Sequence, residues 1–182
     1  MDQMFAPWRI EWVERDPEAQ NPGMDCPFCD LPEREDAREA RVVARSEHAF
    51  VLLNNYPYNP GHAMVIPFQH GGEFGDLSDD ALLDHARLKI RTLDAVDAAL
   101  HPDGANTGEN LGGSVAGGSV DDHLHTHVVP RWDGDTGFMP VISDTKVIVE
   151  ALEETYDRLH EAFADQPDAE ETGPRSAVRL RP

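Results

Sequence analysis

The stretch His123-Leu124-His125-Thr126-His127-Val128-Val129-Pro130 places an imidazole at every second position. Successive side chains of a strand point to opposite faces, so a strand would line one face with the three histidines and the other with Leu124, Thr126 and Val128. A helix would keep His123 and His127 together and turn His125 away. The β-branched residues and the closing Pro130 favour the strand. The expectation is a sheet strand with a row of three groups that titrate near neutrality.

Working outward, Gly112 to Ser119 reads as a glycine-rich loop that delivers the chain into this strand, and Asn106–Leu111 as a further strand. Upstream, Val42–Ala44, Phe50–Asn54 and His62–Pro67 are strand candidates, the last a buried run bounded by Gly61 and Pro67. Asp76-Leu77-Ser78 offers an N-cap. Leu83, Ala86, Ile90, Leu93, Val96 and Leu100 recur at helical spacing, which predicts a long helix buried along that stripe and ended by Pro102-Asp103-Gly104. Downstream, Ser143 or Asp144 caps a second helix carrying Ile148, Leu152, Leu159 and Phe163. Mostly sequential strands with one long helix between them predict an α+β domain built on an antiparallel sheet. Met1–Asp16, with Phe5, Trp8 and Trp12, reads as an arm packed across the domain or onto a second subunit. Gln166–Pro182, rich in Pro, Asp, Glu and Gly, reads as a largely disordered acidic tail after a domain spanning 1–165.

The 182 residues suit one domain with a sizeable core. Fifteen basic against 35 acidic side chains give a net charge of −20, which excludes an electrostatic nucleic-acid binder and disfavours anionic membranes. The basic set is nearly all Arg, with Lys only at Lys89 and Lys146, a balance that resembles halophilic proteins of salt-loaded cytoplasms. No apolar run reaches the roughly 20 residues of a membrane helix. The first residues lack the blocks of a signal peptide, so the expected compartment is the cytoplasm. There, Cys26-Pro-Phe-Cys29 reads as a metal pair or a redox pair rather than a disulfide.

Three alternating histidines allow a metal site, because neighbouring imidazoles can share one ion. They equally allow covalent catalysis, in which a neutral imidazole attacks phosphorus and its neighbours hold its tautomer and protonate the leaving oxygen. The glycine-rich loop favours the second, since its backbone amides can form a nest for anions. An anionic substrate approaching a chain of −20 needs such local attraction, from amides, histidines and Arg131. His48, His85, His101 and His160 stand alone and read as satisfied or solvent-facing. Tyr56, Tyr58 and Trp132 could stack on a base or simply pack.

His123-Leu-His125-Thr-His127-Val-Val resembles the signature of the histidine triad (HIT) family, with Thr126 as the one soft match. The resemblance extends to Asn54, to Pro60-Gly61-His62-Ala-Met-Val-Ile-Pro67, and to Asn106, Asn110 and Gly117-Gly118-Ser119, and covers about Trp8 to Phe163. Pro7-Trp8-Arg9 and the long loop are similar to the branch of diadenosine-tetraphosphate phosphorylases and hydrolases. The resemblance implies a HIT-like fold, an antiparallel sheet with one long helix packed on it and a C-terminal helix, and a homodimer. It implies that His125 is the nucleophile forming a nucleotidyl-histidine, that His127 contacts phosphates and assists the leaving group, and that His62 supports the triad. By the same resemblance Asn54 binds ribose, Asn110, Gly118 and Ser119 hold phosphate oxygens, and a structural zinc sits on Cys26, Cys29, His70 and His123. The implied activity is cleavage of a nucleoside phosphoanhydride, with water or phosphate as acceptor. The alternatives are a nucleotide-binding regulatory module with little turnover, and a metal-dependent oxygenase or isomerase that uses the three histidines as ligands.

Overall fold

The structure is a computed structural model and describes residues 26–112, 115–116, 120–135 and 151–181. In chain order these form α1 (Pro27–Asp30), a 3-10 turn (Leu31–Glu33), α2 (Ala37–Ala40), β1 (Val42–Arg45), β2 (Ala49–Leu53) and β3 (Ala63–Pro67). A second 3-10 turn (Phe74–Asp76) leads to α3 (Asp79–Leu100), followed by β4 (Gly104–Gly108), β5 (Thr126–Arg131), α4 (Leu152–Ala164), β6 (Ala169–Glu170) and β7 (Val178–Leu180). The arm, Gly118, Ser119, Ser143, Asp144 and Ile148 lie outside the described residues. α4 itself begins at Leu152, after Ala151 in extended conformation.

One sheet runs β4-β5-β3-β2-β1-β7-β6. Every pairing is antiparallel except β1 with β7. β2 and β3 are buried on both faces, which explains their unbroken apolar sequences. α3 and α4 cover one face through Leu88, Val96, Tyr156, Leu159 and Phe163, packed on Val43, Val51, Val65 and Val128. The Tyr156 hydroxyl donates to the Val42 carbonyl at 3.2 Å, so α4 is pinned to β1 as well as packed on it. On the other face the segment around the two cysteines packs Cys26, Phe28, Ala37 and Ala40 onto Phe50, Met64 and Ile66.

α3 departs from the predicted stripe. Ser78 caps it by accepting from the Ala81 N–H, as expected. Its buried side is Ala81, Asp84, His85, Leu88, Thr92, Ala95, Val96 and Leu100, whereas Leu83 and Ile90 are 51% and 58% exposed. Polar residues can occupy the buried side because each has a partner there. Asp84 accepts from Ser46 Oγ at 2.6 Å and the His48 N–H at 2.8 Å, clamping the β1–β2 hairpin to the helix. Thr92 donates to the Leu88 carbonyl at 2.8 Å.

The expected disordered tail is also corrected over its described part. Val178 pairs with Ala44 and Arg179 with Arg45, while β6 pairs with β7. Ala177, Val178 and Leu180 are buried, and Arg91 donates to Gln166 Oε1 at 2.8 Å and the Arg181 carbonyl at 3.1 Å. The average composition of the segment hides these three apolar residues, and the outer edge of β1 gives them a ladder to join.

Candidate active site and metal cluster

The register sets Met64 of β3 opposite His127 of β5, and Gly108 of β4 opposite His127 on the other side. His127 therefore sits on a central strand. His123 and His125 lie just before β5 begins rather than within it, so the row of three is part strand and part an irregular approach that bends at His123. That leaves His123 free of the ladder to face elsewhere.

His123 faces the cysteines. Its Nε2–H donates to the Pro67 carbonyl at 2.8 Å, which leaves a lone pair on Nδ1, 3.3 Å from Cys26 Sγ and 3.7 Å from Cys29 Sγ. His70 turns Nδ1 toward Cys29 Sγ at 3.4 Å and Nε2 toward Asp122 at 3.8 Å. The ligand atoms of Cys26, Cys29, His70 and His123 all lie within 4.8 Å of one another, the only such group among the described residues. Two sulfurs and two imidazole nitrogens, with the far nitrogen of His123 held by a carbonyl and that of His70 facing a carboxylate, are a donor set and surroundings suited to zinc. Without a cation, burial first and then Cys26 push the Cys29 thiol up to about 11. A divalent ion would reverse that cost by favouring the thiolates.

The other two triad histidines are held by separate hydrogen bonds in opposite tautomers. The His123 carbonyl can only accept, so His125 donates to it from Nδ1–H at 2.9 Å and carries its lone pair on Nε2. Burial holds His125 below the usual imidazole range, and it is 6% exposed, so the neutral ring dominates at pH 7. For His127 the order runs the other way. The Tyr58 N–H donates to His62 Nδ1 at 3.1 Å, so His62 carries its proton on Nε2 and donates it to His127 Nδ1 at 2.9 Å. Neutral His127 then carries its proton on Nε2. Tyr58 stacks on His62 with centroids 4.9 Å apart, and the His125 and His127 rings meet edge-on at 4.9 Å. One imidazole has a lone pair and its neighbour a proton to give.

The turn that delivers His62 is held from two sides. Gly61 sits at φ +76, where a Cβ would also run into Leu100. Asn59 donates to the Pro130 carbonyl at 2.8 Å and to Asp135 at 2.9 Å. Asp135 also accepts from Arg131 Nε and Nη2 at 2.5 and 2.8 Å, and the Arg131 guanidinium brings its carboxyl down to about 2. Asn54, just after β2, accepts from the Tyr56 N–H at 2.8 Å and points its amide at Met64 Sδ, 3.7 Å away. Asn110 follows β4 and is half-buried.

Sequence reasoning missed Phe28. Its ring lies edge-on to both His123 and His125, with centroids 5.6 and 5.1 Å away. Lying between the two cysteines in C-P-F-C, it links the metal cluster to His125. The reading of His123, His125 and His127 as ligands of one ion is not supported, because these rings hold different partners and do not converge.

Residues 35–134 match the HIT domain model. The chain belongs to the HIT family. It is 39% identical to the AP-4-A phosphorylase of Mycobacterium tuberculosis over 174 residues, covering 92% of this chain and 87% of that one. It is 30% identical to an adenosine 5'-monophosphoramidase of Saccharomyces cerevisiae over 114 residues, 63% of this chain and 67% of that one. Among solved structures, a Zn-bound histidine triad family protein from Mycobacterium smegmatis superimposes with a TM-score of 0.60 at 28% identity, covering 78% of this chain and 94% of that one. The protein is thus a HIT-family enzyme with the expected HIT-like α+β fold. No helix among the described residues is long and apolar enough to cross a membrane.

Proposed function

We propose that the protein transfers a nucleotidyl group from a dinucleoside polyphosphate, such as diadenosine tetraphosphate, to phosphate or water through a covalent adduct on His125. The observation that carries this reading is the opposed pair of tautomers: a lone pair on His125 Nε2 beside a proton on His127 Nε2. His125 Nε2 attacks the α-phosphorus and the bond from phosphorus to the bridging oxygen breaks. The electron pair leaves on that oxygen, which takes the proton from His127. In the second half the acceptor attacks the same phosphorus, gives its proton back to His127, and the nitrogen–phosphorus bond breaks. Splitting the displacement in two lets the same fixed donors serve both transition states. His62 keeps His127 in the required tautomer.

The AP-4-A phosphorylase relative supports the substrate class, and Asn54, Asn110, Gly118 and Ser119 are proposed to bind ribose and phosphate oxygens. Carrying the β4–β5 register two residues past Gly108–His127 brings Asn110 level with His125, which supports that role. We assign a structural zinc to Cys26, Cys29, His70 and His123, on the donor set and the Zn-bound neighbour. It takes no part in the steps above. A homodimer is supported by the exposed Leu83 and Ile90 on α3 and by the exposed edge strand β4. The acidic, Arg-rich surface supports work in a salt-loaded cytoplasm.

Product analysis of diadenosine tetraphosphate at high salt tests the reaction. ADP and ATP appearing only with phosphate mark a phosphorylase, and AMP and ATP without it a hydrolase. Cleavage of adenosine phosphoramidate alone would favour the phosphoramidase reading. AMP binding with no product from any substrate would leave a regulatory module. His125→Ala should abolish turnover while AMP still binds, and full activity in that variant would sink covalent catalysis there.

A further inference from the structure

Away from the histidines, an open cavity of about 530 Å³ lies where β1, β6 and β7 meet, lined by Arg45, Arg179 and Arg181 together with Phe68. Three arginines in one cavity run against the composition, because the chain has only 15 basic side chains and a net charge of −20. The ladder makes the crowding direct. Arg45 of β1 stands opposite Arg179 of β7, and like charges so placed repel each other. The same row sets Phe50 opposite Arg45 and Ile66 opposite Phe50, so both arginines lie on the face of the sheet that packs Phe28 and Ala40. Arg45 is three strands from β5. At about 4.8 Å per strand this is roughly 14 Å, which separates the cavity from the triad.

Elsewhere arginines find carboxylates: Arg34 has Asp30, Arg38 has Asp157, Arg131 has Asp135 and Arg175 has Asp36. Of the two carboxylates at the cavity, Glu170 pairs with Arg181, and Glu47 stands 4.0 Å from His48. Among the described residues, no carboxylate forms an ion pair with Arg45 or Arg179. Arg45 Nη2 donates to the Pro32 carbonyl at 3.1 Å, while Arg45 Nε is buried with no partner, the one such side-chain atom among the described residues. Burial and then Arg179 disfavour the charge on Arg45, and Glu33 offsets part of that cost. An anion between the two guanidiniums would offset the rest. Phosphate oxygens match the planar fork of arginine, and Phe68, stacked on Phe50 at 5.3 Å, adds an aromatic wall.

We propose that Arg45 and Arg179 form a second anion site, apart from the histidine pocket, for a polyphosphate group that is free or carried by a nucleotide. Because Arg45 also grips the turn that follows Cys29, a ligand here braces the loop that carries Phe28.

Calorimetric titration with inorganic tripolyphosphate, and separately with ATP, tests this at fixed ionic strength with excess AMP holding the histidine pocket. Binding should saturate at a single site and raise the melting temperature. Arg179→Glu, at an exposed position, reverses one charge and gives Arg45 a carboxylate. It should weaken binding about tenfold to hundredfold, the scale of a lost charged hydrogen bond, and melt above the unaltered protein. Its turnover of diadenosine tetraphosphate should be unaltered. Tighter binding of ATP than of tripolyphosphate supports a nucleotide at this site, and equal binding supports a site for phosphate oxygens alone. No binding of either, or undiminished binding by Arg179→Glu, overturns the proposal.

Discussion

The Phe28 ring stands edge-on to His125 at 5.1 Å and to His123 at 5.6 Å. Its position in the chain is set by Cys26 and Cys29 on either side, both turned toward His123. A metal held by these cysteines would therefore decide how firmly one wall around the His125 ring is held. Phe28→Ala should keep its metal and lose activity on the order of 10-fold to 100-fold, the scale of a displaced reacting group. Phe28→Leu, which keeps most of the buried volume, should melt near the unaltered protein and still turn over slowly. Full activity in both would detach the loop from the reaction.

Removal of the metal should be felt in the fold before the chemistry. Elemental analysis is expected to give about one zinc per chain, the complement of one closed four-ligand site. Chelation or Cys26→Ser should lower the melting temperature and then activity, because a metal on Cys26, Cys29, His70 and His123 would tie the segment that packs Phe28, Ala37 and Ala40 on the sheet to His70 and His123. A metal-free protein that melts at the same temperature would contradict the assignment.

His62 has a narrower task. It gives His127 Nδ1 its proton donor, so His62→Ala removes what sets the His127 tautomer. Turnover should fall on the order of 100-fold, the lower end of general acid–base contributions, with AMP affinity little changed. Loss of AMP binding in parallel with turnover, measured by calorimetry, would show instead that the pocket itself had collapsed.

Acid should weaken the fold through His85. Burial lowers its pKa below the ordinary 6.5, so the folded state binds fewer protons than the unfolded chain. The stability this contributes is complete above pH 6.5 and is lost as pH falls toward the depressed value. His85→Gln, which cannot titrate, should make the fall in melting temperature between pH 7 and pH 5 shallower, the rest being shared with other buried histidines such as His125. An unchanged slope would assign the acid sensitivity to other groups.

The site was legible where chemistry is tied to spacing. Alternating histidines, a C-x-x-C pair and a Gly-His turn are patterns that few other constraints produce. The structure brings Cys26, Cys29, His70 and His123 together as the resemblance implied. Residues whose task is set by a distant partner were not legible. Asp84, His85 and Thr92 break the apolar stripe of α3, and only the hairpin and strand beneath them explain why they are inside. Leu83 and Ile90 complete the stripe on paper and face outward. Phe28 carries no signature at all, and it matters because of the imidazoles it stands beside.

The parallel ladder between Ala44 and Val178 joins residues far apart in sequence and covers the outer rim of β1 with a strand of three residues. Such a cover is easily peeled away, and beneath it lies the rim of β1 at Ala44 and Arg45, which would then be open to a strand from another molecule. Substitutions that loosen Val178 or Leu180 should therefore show themselves as clumping between molecules, well before any change at the histidines, which lie several strands away.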